Sequence, residues 1–484
     1  MEKAAPRLRP QSGASWGSAA AALLVLVGER ESEVHLGARM EKMSGRSFSR
    51  FSVESGVKKQ PTTQLEVKTL LNQIQPFVGF VYHSIRLRGA RGSQRVEVRI
   101  QPHLGLRGKC STCQAACPGY DQLAERRWLF VPLWGIVVHF FYRPRRVACP
   151  THGLGVEHLP WSQGKRRVTT AMMGFLARWA RRLSWRETAR TFQTSWESVY
   201  HSVEWFVAWG LAHRQLAAVQ AIGIDEIHWG KGHGADRFLT VIYQIDRQCR
   251  RLLWVGPRRT QATLRKGLAA LGPTVIGGLR FVASDMWKPY LTVIAAQVSH
   301  ALHVLDRFHI TMHLNQAVDQ VRRSERTRLG AAPSATRLKK MRWTLLRRGS
   351  RVRGHARLKL NALLASQLAT ARAWMLKTSF EHFWTYKSFI WGGAFLDYWT
   401  ERALRSRLEP MKRVARMLRS HEALILNWFK AKGEISTGPV EGLNNKVRVV
   451  TRRSYGFRTY KAMELALYHN LGRLPEPETA HGFC

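Results

Sequence analysis

Three acidic residues are placed as a metal-dependent phosphoryl-transfer site would need them. Asp225 lies in the run 221–227, AIGIDEI, where the pair Asp225 and Glu226 interrupts apolar residues. A carboxylate inside a strand needs a reason, because burying a charge is costly unless it is paired or binds a metal. Asp285 closes a second strand-like run, 279–284, and Glu441 opens a helical pattern after Pro439, a residue suited to a helix start. From Glu441 the spacing to Asn445 (i+4) and Arg448 (i+7) sets all three on one helical face. A helix carrying Glu441 to Asp225 and Asp285 would assemble three carboxylates able to hold two divalent ions about 3.5–4 Å apart. One ion of such a pair activates a water or 3′-hydroxyl, and the other stabilises the leaving oxygen. Lys446, Arg448, Arg452 and Arg453 would add phosphate contacts beside them. Glu226 points to the opposite strand face from Asp225 and reads as a structural partner. Asp306 also ends a strand, where it could anchor Arg307 or His309. Asp285 is preferred as the second acid because it ends the fourth strand of the core.

A second constellation is sulfur-based. CSTC at 110–113 and CPTH at 149–152 give C-x₂-C and C-x₂-H pairs around a β-rich run that can fold back as a hairpin. This spacing predicts a zinc ribbon, with Cys110, Cys113, Cys149 and His152 closing one tetrahedral structural Zn²⁺. Cys117 competes with Cys110 or Cys113 as a ligand, and buried unligated cysteines are the alternative. Six cysteines in 484 residues make no disulfide framework, which points to a reducing cytoplasm.

The elements that must position these groups follow from periodicity. Runs at 221–227 and 238–245 read as a hairpin whose linker, 230–236, holds Gly230, Gly232 and Gly234. A third strand at 251–255, a helix at 261–271, the fourth strand at 279–284, a helix at 288–298 and a fifth strand at 301–305 give the order βββαβαβ. With acids on the first and fourth strands, this is a ribonuclease-H-like layout with a mixed sheet. Ahead of it, 170–182, 184–192 and 196–211 read as helices. Ser184 and Glu187 have capping-box spacing, Ser195 offers an N-cap, and the break QTS between two helices fits a helix-turn-helix. Residues 313–432 are basic and helical in composition, with Trp343, Trp374, Trp384 and Trp391, which read as core.

The expected fold class is therefore a multidomain α+β chain: zinc ribbon, helix-turn-helix, and a ribonuclease-H-like α/β core with a helical insertion. The boundaries are 1–62 for a disordered extension, in which an internal start at Met40 or Met43 is expected, 63–160 for the ribbon module and 165–215 for the helix-turn-helix. The core takes 220–312 and 433–472, the insertion 313–432 and a tail 473–484. The 77 basic against 32 acidic residues leave a net charge of +45, a self-repulsion that a polyanion would offset. Nucleic acid is the expected partner, and no segment reaches the roughly 20 apolar residues of a membrane span.

GIDE at 223–226, SDMWKPY at 284–290, DRFH at 306–309 and GPVEGLNNKVRVVTRRSYGF from 438 resemble the ISL-three family of DDE insertion-sequence transposases. CSTC…RRVACPTHG is similar to that family's N-terminal zinc finger, and the resemblance spans 104–471. It implies that Asp225, Asp285 and Glu441 are the catalytic acids, holding two Mg²⁺ or Mn²⁺ per active site. It implies as partners double-stranded DNA, both terminal repeats and target, and a homo-oligomer on that DNA in the bacterial nucleoid. Two departures stand out: His152 replaces the last cysteine of the usual second C-x₂-C pair, and the N-terminal extension has no counterpart. Rival readings are a structure-specific nuclease on the same fold, which would cleave without joining, and a DNA-binding regulator with an inactive core.

Overall fold

Strand alternation and apolar runs sort the chain into three sheets and a helical body. The computed structural model describes residues 66–478, apart from 231–232 and 436–437. The expected extension at 1–62 and the end of the 473–484 tail lie outside the described residues.

After α1 (Val67–Ile74) come β1 (Phe80–Arg88), β2 (Arg95–Pro102), β3 (Gly119–Gln122), β4 (Arg126–Leu133), β5 (Ile136–Tyr142), β6 (Arg145–Cys149) and β7 (Gly153–Val156). They form two sheets, ordered β1-β2-β5-β4 and β3-β6-β7. The run between the two cysteine pairs does fold into a hairpin, β4–β5, but β5 joins β2 rather than the cysteine-bearing sheet. Its inward face explains the choice. Trp128, Phe130, Val138 and Phe140 are buried, Phe130 stacks on Phe140 with ring centroids 4.4 Å apart, and Trp161 meets Trp128 edge-on. Such an aromatic face needs a larger core than a three-stranded ribbon can offer.

Helices α2 (Thr170–Ala180), α3 (Trp185–Thr191) and α4 (Trp196–His213) follow. Ser184 accepts from Glu187 N while the Glu187 carboxylate accepts from Ser184 N, completing the capping box, and Ser195 caps α4. Gln193, at φ +49°, turns the chain between them.

The core opens with β8 (Ala221–His228), β9 (Phe238–Ile245) and β10 (Arg250–Pro257), then α5 (Gln261–Leu271), α6 (Pro273–Gly277), β11 (Phe281–Ser284), α7 (Lys288–Gln297) and β12 (Leu302–Leu305). The strand order is β10-β9-β8-β11-β12, with β8 central, antiparallel to β9 and parallel to β11. The elements follow the expected βββαβαβ succession with one further short helix, α6, and the mixed sheet is consistent with a ribonuclease-H-like core. Ile222, Ile224, Ile242 and Val282 pack with α5 and α7 on one face; Val241, Tyr243 and Ala283 share the largest core with α16, α17 and the N-terminal modules.

Then come α8 (Arg307–Leu329), α9 (Pro333–Lys340), α10 (Arg342–Leu346), α11 (Gly354–Leu364), α12 (Ala369–Phe380), α13 (Phe389–Arg405), α14 (Glu409–Ser420) and α15 (Glu422–Lys430). They bury a core of their own, to which Trp374 and Trp384 contribute; Trp343 and Trp391 are exposed instead. The chain returns through α16 (Gly438–Arg453) and α17 (Tyr460–Leu471), which cover the sheet. Among the described residues, no helix is long and apolar enough to cross a membrane.

Candidate active site

Sheet register sets the acids in a row. On the parallel strands, Gly223 lies opposite Ala283 and Ser284 opposite Leu305. Counting onward, Asp225, Asp285 and Asp306 leave three neighbouring strands at one level, at the carboxyl edge where open α/β sheets bind ligands. Together with Ile224, Ala283, Ser284, His309 and Val440 they line a cavity of about 10 Å³. That space suits one water-sized body.

Asp225 is held by two hydrogen bonds. Its Oδ1 accepts from Glu226 N at 2.8 Å, and its Oδ2 from Asn444 Nδ2 at 2.7 Å. The Tyr243 hydroxyl donates in turn to Asn444 Oδ1 at 2.8 Å, fixing the amide. Helix α16 can deliver Asn444 because Gly223 has no side chain: a Cβ there would stand 2.4 Å from Val440 Cγ2. Burial raises the Asp225 carboxyl above the ordinary aspartate range despite these donors.

Asp285 Oδ1 accepts from Trp287 N at 3.1 Å, and its Oδ2 lies 3.2 Å from Arg259 Nη2. The same Nη2 is 3.0 Å from Glu226 Oε1, so one guanidinium nitrogen bridges two acids. The guanidinium also lies over the Trp287 ring, 4.1 Å from its centroid. Glu226, expected to stand apart from Asp225 as a structural partner, is thus paired with a cation it shares with Asp285. Burial, and after it the Asp285 carboxylate, push Glu226 up to about 8.

Asp306 caps α8, its Oδ1 accepting from Phe308 N at 2.8 Å, and pairs through Oδ2 with His309 Nδ1 at 2.9 Å. That pairing, reinforced by Asp225 and Asp285, raises His309 to about 9.

Glu441 stands in the first turn of α16, exposed together with Asn445 and Arg448, on the shared face its spacing predicts. The residues of α16 turned toward Asp225 are Val440 and Asn444 on the adjoining face. The structure therefore brings Asp225, Asp285 and Asp306 together and leaves Glu441 beside the cavity rather than in its lining. Lys446, Arg448 and Arg452 are exposed, whereas Arg453 turns inward, donating to the Arg181 carbonyl and, at 2.8 Å, to Asn470 Oδ1. Asn444, Tyr243 and Arg259 are site residues that sequence reasoning missed. Only Asn444 had a signal, three residues after Glu441 on a helix already aimed at Asp225. Three carboxylates, Asp225, Asp285 and Asp306, face one cavity beside His309, an oxygen-rich set that fits a hard divalent cation such as Mg²⁺ or Mn²⁺.

The cysteine pairs converge as their spacing predicts. Cys113 Sγ lies 3.6 Å from Cys149 Sγ, and His152 Nδ1 lies 3.6 Å from Cys149 Sγ and 3.9 Å from Cys110 Sγ. All four ligand atoms fall within 4.8 Å of one another, the one such group of three or more among the described residues. Tetrahedral ligands at about 2.3 Å for sulfur and about 2.0–2.1 Å for nitrogen stand roughly 3.5–3.8 Å apart, so the four fit a metal ion. Cys117, the competing ligand, is buried and bonds to the Ala115 carbonyl at 3.3 Å. In the helical pair, α4 buries Val199, Val203, Phe206 and Val207, and exposes Trp196, Glu197 and His201 near its start; the exposed cations Arg186 and Arg190 sit on α3.

A mixed sheet consistent with a ribonuclease-H-like core, with acids at the ends of its central strands and a basic helix behind them, agrees with the DDE class of transposase. A transposase family model, the DDE type of ISL3, matches residues 222–467, just over half of the chain. The chain belongs to this family and is a DNA transposase. It is 26% identical over 352 residues to the transposase for insertion sequence element IS1001 of Bordetella parapertussis, covering 72% of this chain and 85% of the relative. To the transposase for insertion sequence element IS1557 of Mycobacterium tuberculosis it is 28% identical over 409 residues, covering 79% and 90%.

Proposed function

We propose that this transposase binds the terminal repeats of its insertion sequence, cuts there, and joins the 3′-hydroxyl ends to target DNA. Asp225, Asp285 and Glu441 are its catalytic acids. The observation that carries this reading is the shared level of Asp225 and Asp285 at one cavity, with Glu441 on the helix that also holds Asp225 through Asn444. Two Mg²⁺ or Mn²⁺, when bound, supply activation of the attacking oxygen and charge stabilisation at the leaving one. The protein's own part is to fix geometry and charge. Tyr243 and Asn444 orient Asp225, Trp287 N orients Asp285, and His309 and Arg259 offset the crowded carboxylates. Lys446, Arg448 and Arg452 hold the DNA backbone beside the acids; Arg453, spent on internal bonds, is part of the scaffold.

The cysteine–histidine group holds one structural Zn²⁺ and stiffens the module that grips the repeat. The α3–α4 pair is the helix-turn-helix, with Arg186 and Arg190 supplying backbone contacts. Two chains acting on two element ends would make the working form a homo-oligomer on DNA.

The test is strand cleavage and joining on a labelled terminal-repeat duplex with Mg²⁺ or Mn²⁺, comparing wild type with Glu441→Gln. Joined product from the wild type, reduced on the order of 10³-fold in the variant, is expected. Cleavage without joining would identify a nuclease, and binding with neither an inactive regulator.

A further inference from the structure

Arg259 is no part of the three-acid motif, yet one of its nitrogens bridges two carboxylates of the site. It lies between β10 and α5, where its backbone N–H donates to the Ala235 carbonyl at 3.2 Å and the preceding Arg258 takes φ +73°. Its Nη2 stands 3.2 Å from Asp285 Oδ2 and 3.0 Å from Glu226 Oε1. A single positive atom bridging two carboxylates does what a divalent ion does in an oxygen-ligand site. The guanidinium is clasped on its flat side by Trp287, at 4.1 Å, the residue whose N–H orients Asp285. Neither Arg259 Nε nor Glu226 Oε2 has a hydrogen-bond partner among the described residues, so the bridge leaves bonding capacity unused on both sides.

We propose that Arg259 is the resident cation of this site, a positioning residue that occupies the place of a metal at Asp285 until a divalent ion displaces it. The proposal rests on the reading of Asp285 as a metal ligand. Without a cation, Asp285, Asp225 and Glu226 would repel one another in a partly desolvated site. The guanidinium relieves this in the free enzyme. When metal enters, Arg259 gives up Asp285 while Glu226 and the Trp287 face retain it, so it need not find a new place. Arg259 thereby sets how weakly the free enzyme holds metal.

The experiment is Mn²⁺ binding to the full chain without DNA, read from the electron paramagnetic resonance of unbound Mn²⁺. Wild type, Arg259→Ala and Arg259→Lys are compared, each with and without Asp285→Asn. Arg259→Ala is expected to bind Mn²⁺ roughly tenfold more tightly, Arg259→Lys to fall between, and Asp285→Asn to abolish the gain. Equal or weaker binding by Arg259→Ala, with Asp285→Asn still losing Mn²⁺, would overturn the resident-cation role and leave the ligand reading standing. Binding indifferent to Asp285→Asn in every background would overturn the ligand reading and the proposal with it. Should Arg259→Ala not fold, Arg259→Lys carries the same test, since a compact ammonium does not reproduce the flat guanidinium held between two carboxylates: it is expected to bind Mn²⁺ more tightly than wild type, and binding no tighter would overturn the proposal.

Discussion

The two metal-suited sites of this chain are built on opposite plans. The cysteine–histidine group draws its donors from two short segments, 110–113 and 149–152, and its four ligand atoms already stand at ligand-to-ligand spacing. The acid site draws on the ends of β8 and β11 and on α16, more than 150 positions further along the chain, and Glu441 stays outside the cavity. A structural site is closed and preassembled, whereas a catalytic one must stay open to substrate. The protein's own cations, Arg259 and His309, stand among the acids. The first site gathers four ligand atoms, whereas the second sets its carboxylates against the protein's own cations.

The largest effect that separates the plans is expected from Cys149→Ser. Bound zinc should fall from about one per chain to none, because structural zinc contributes about 10–16 kcal/mol to a small module. Elemental analysis together with circular dichroism would read it, and the loss should leave Mn²⁺ binding at the acid site in place.

A smaller effect, confined to activity, is expected from the support behind Asp225. Asn444→Ala removes the 2.7 Å donation to Asp225 and strands the Tyr243 hydroxyl, and should lower cleavage roughly 10–100-fold without unfolding the chain. Tyr243→Phe keeps the amide and removes only its brace, costing roughly five- to tenfold. If the two were equal, Tyr243 rather than Asn444 would be the residue that matters.

The smallest effect concerns charge balance. His309 is raised from 6.5 to about 9 by its bond to Asp306 and then by the nearby acids. A folded-state value above the unfolded one means the stabilisation is complete below about pH 6.5 and is lost as pH rises through about 9. Thermal melts without added Mg²⁺ should therefore show wild type losing a few degrees more than His309→Gln between these limits. Parallel curves would show that His309 bears no charge there.

What the sequence showed and what it hid divide along the same line. The ligand spacing of the cysteine pairs is local and could be read directly, as could the Ser184 capping box and the strand order set by apolar runs between glycines. Asp225 was legible because it interrupts such a run. Arg259 and Tyr243 were not, and Asn444 only through its place three residues after Glu441, since they reach the acids, Tyr243 by way of Asn444, through contacts spanning 26 to 219 positions. Arg453 looked like its basic neighbours on α16, and only the fold, by setting Arg181 and Asn470 against it, turns it inward. The β4–β5 hairpin was visible as a hairpin, but its sheet was chosen by aromatic residues packed from elsewhere.

The most direct measurement of whether one site unites the three acids is Fe²⁺-directed peptide cleavage. Fe²⁺ substituted for Mg²⁺, with ascorbate and peroxide, cuts backbone close to the bound metal, and the fragments can be mapped by mass spectrometry on the complex with terminal-repeat DNA. Cuts beside Asp225, Asp285 and Glu441 together are the expected result. Cuts beside Asp225 and Asp285 with none near Glu441 would contradict a three-acid site and leave Glu441 on a DNA-facing helix without a part in the chemistry.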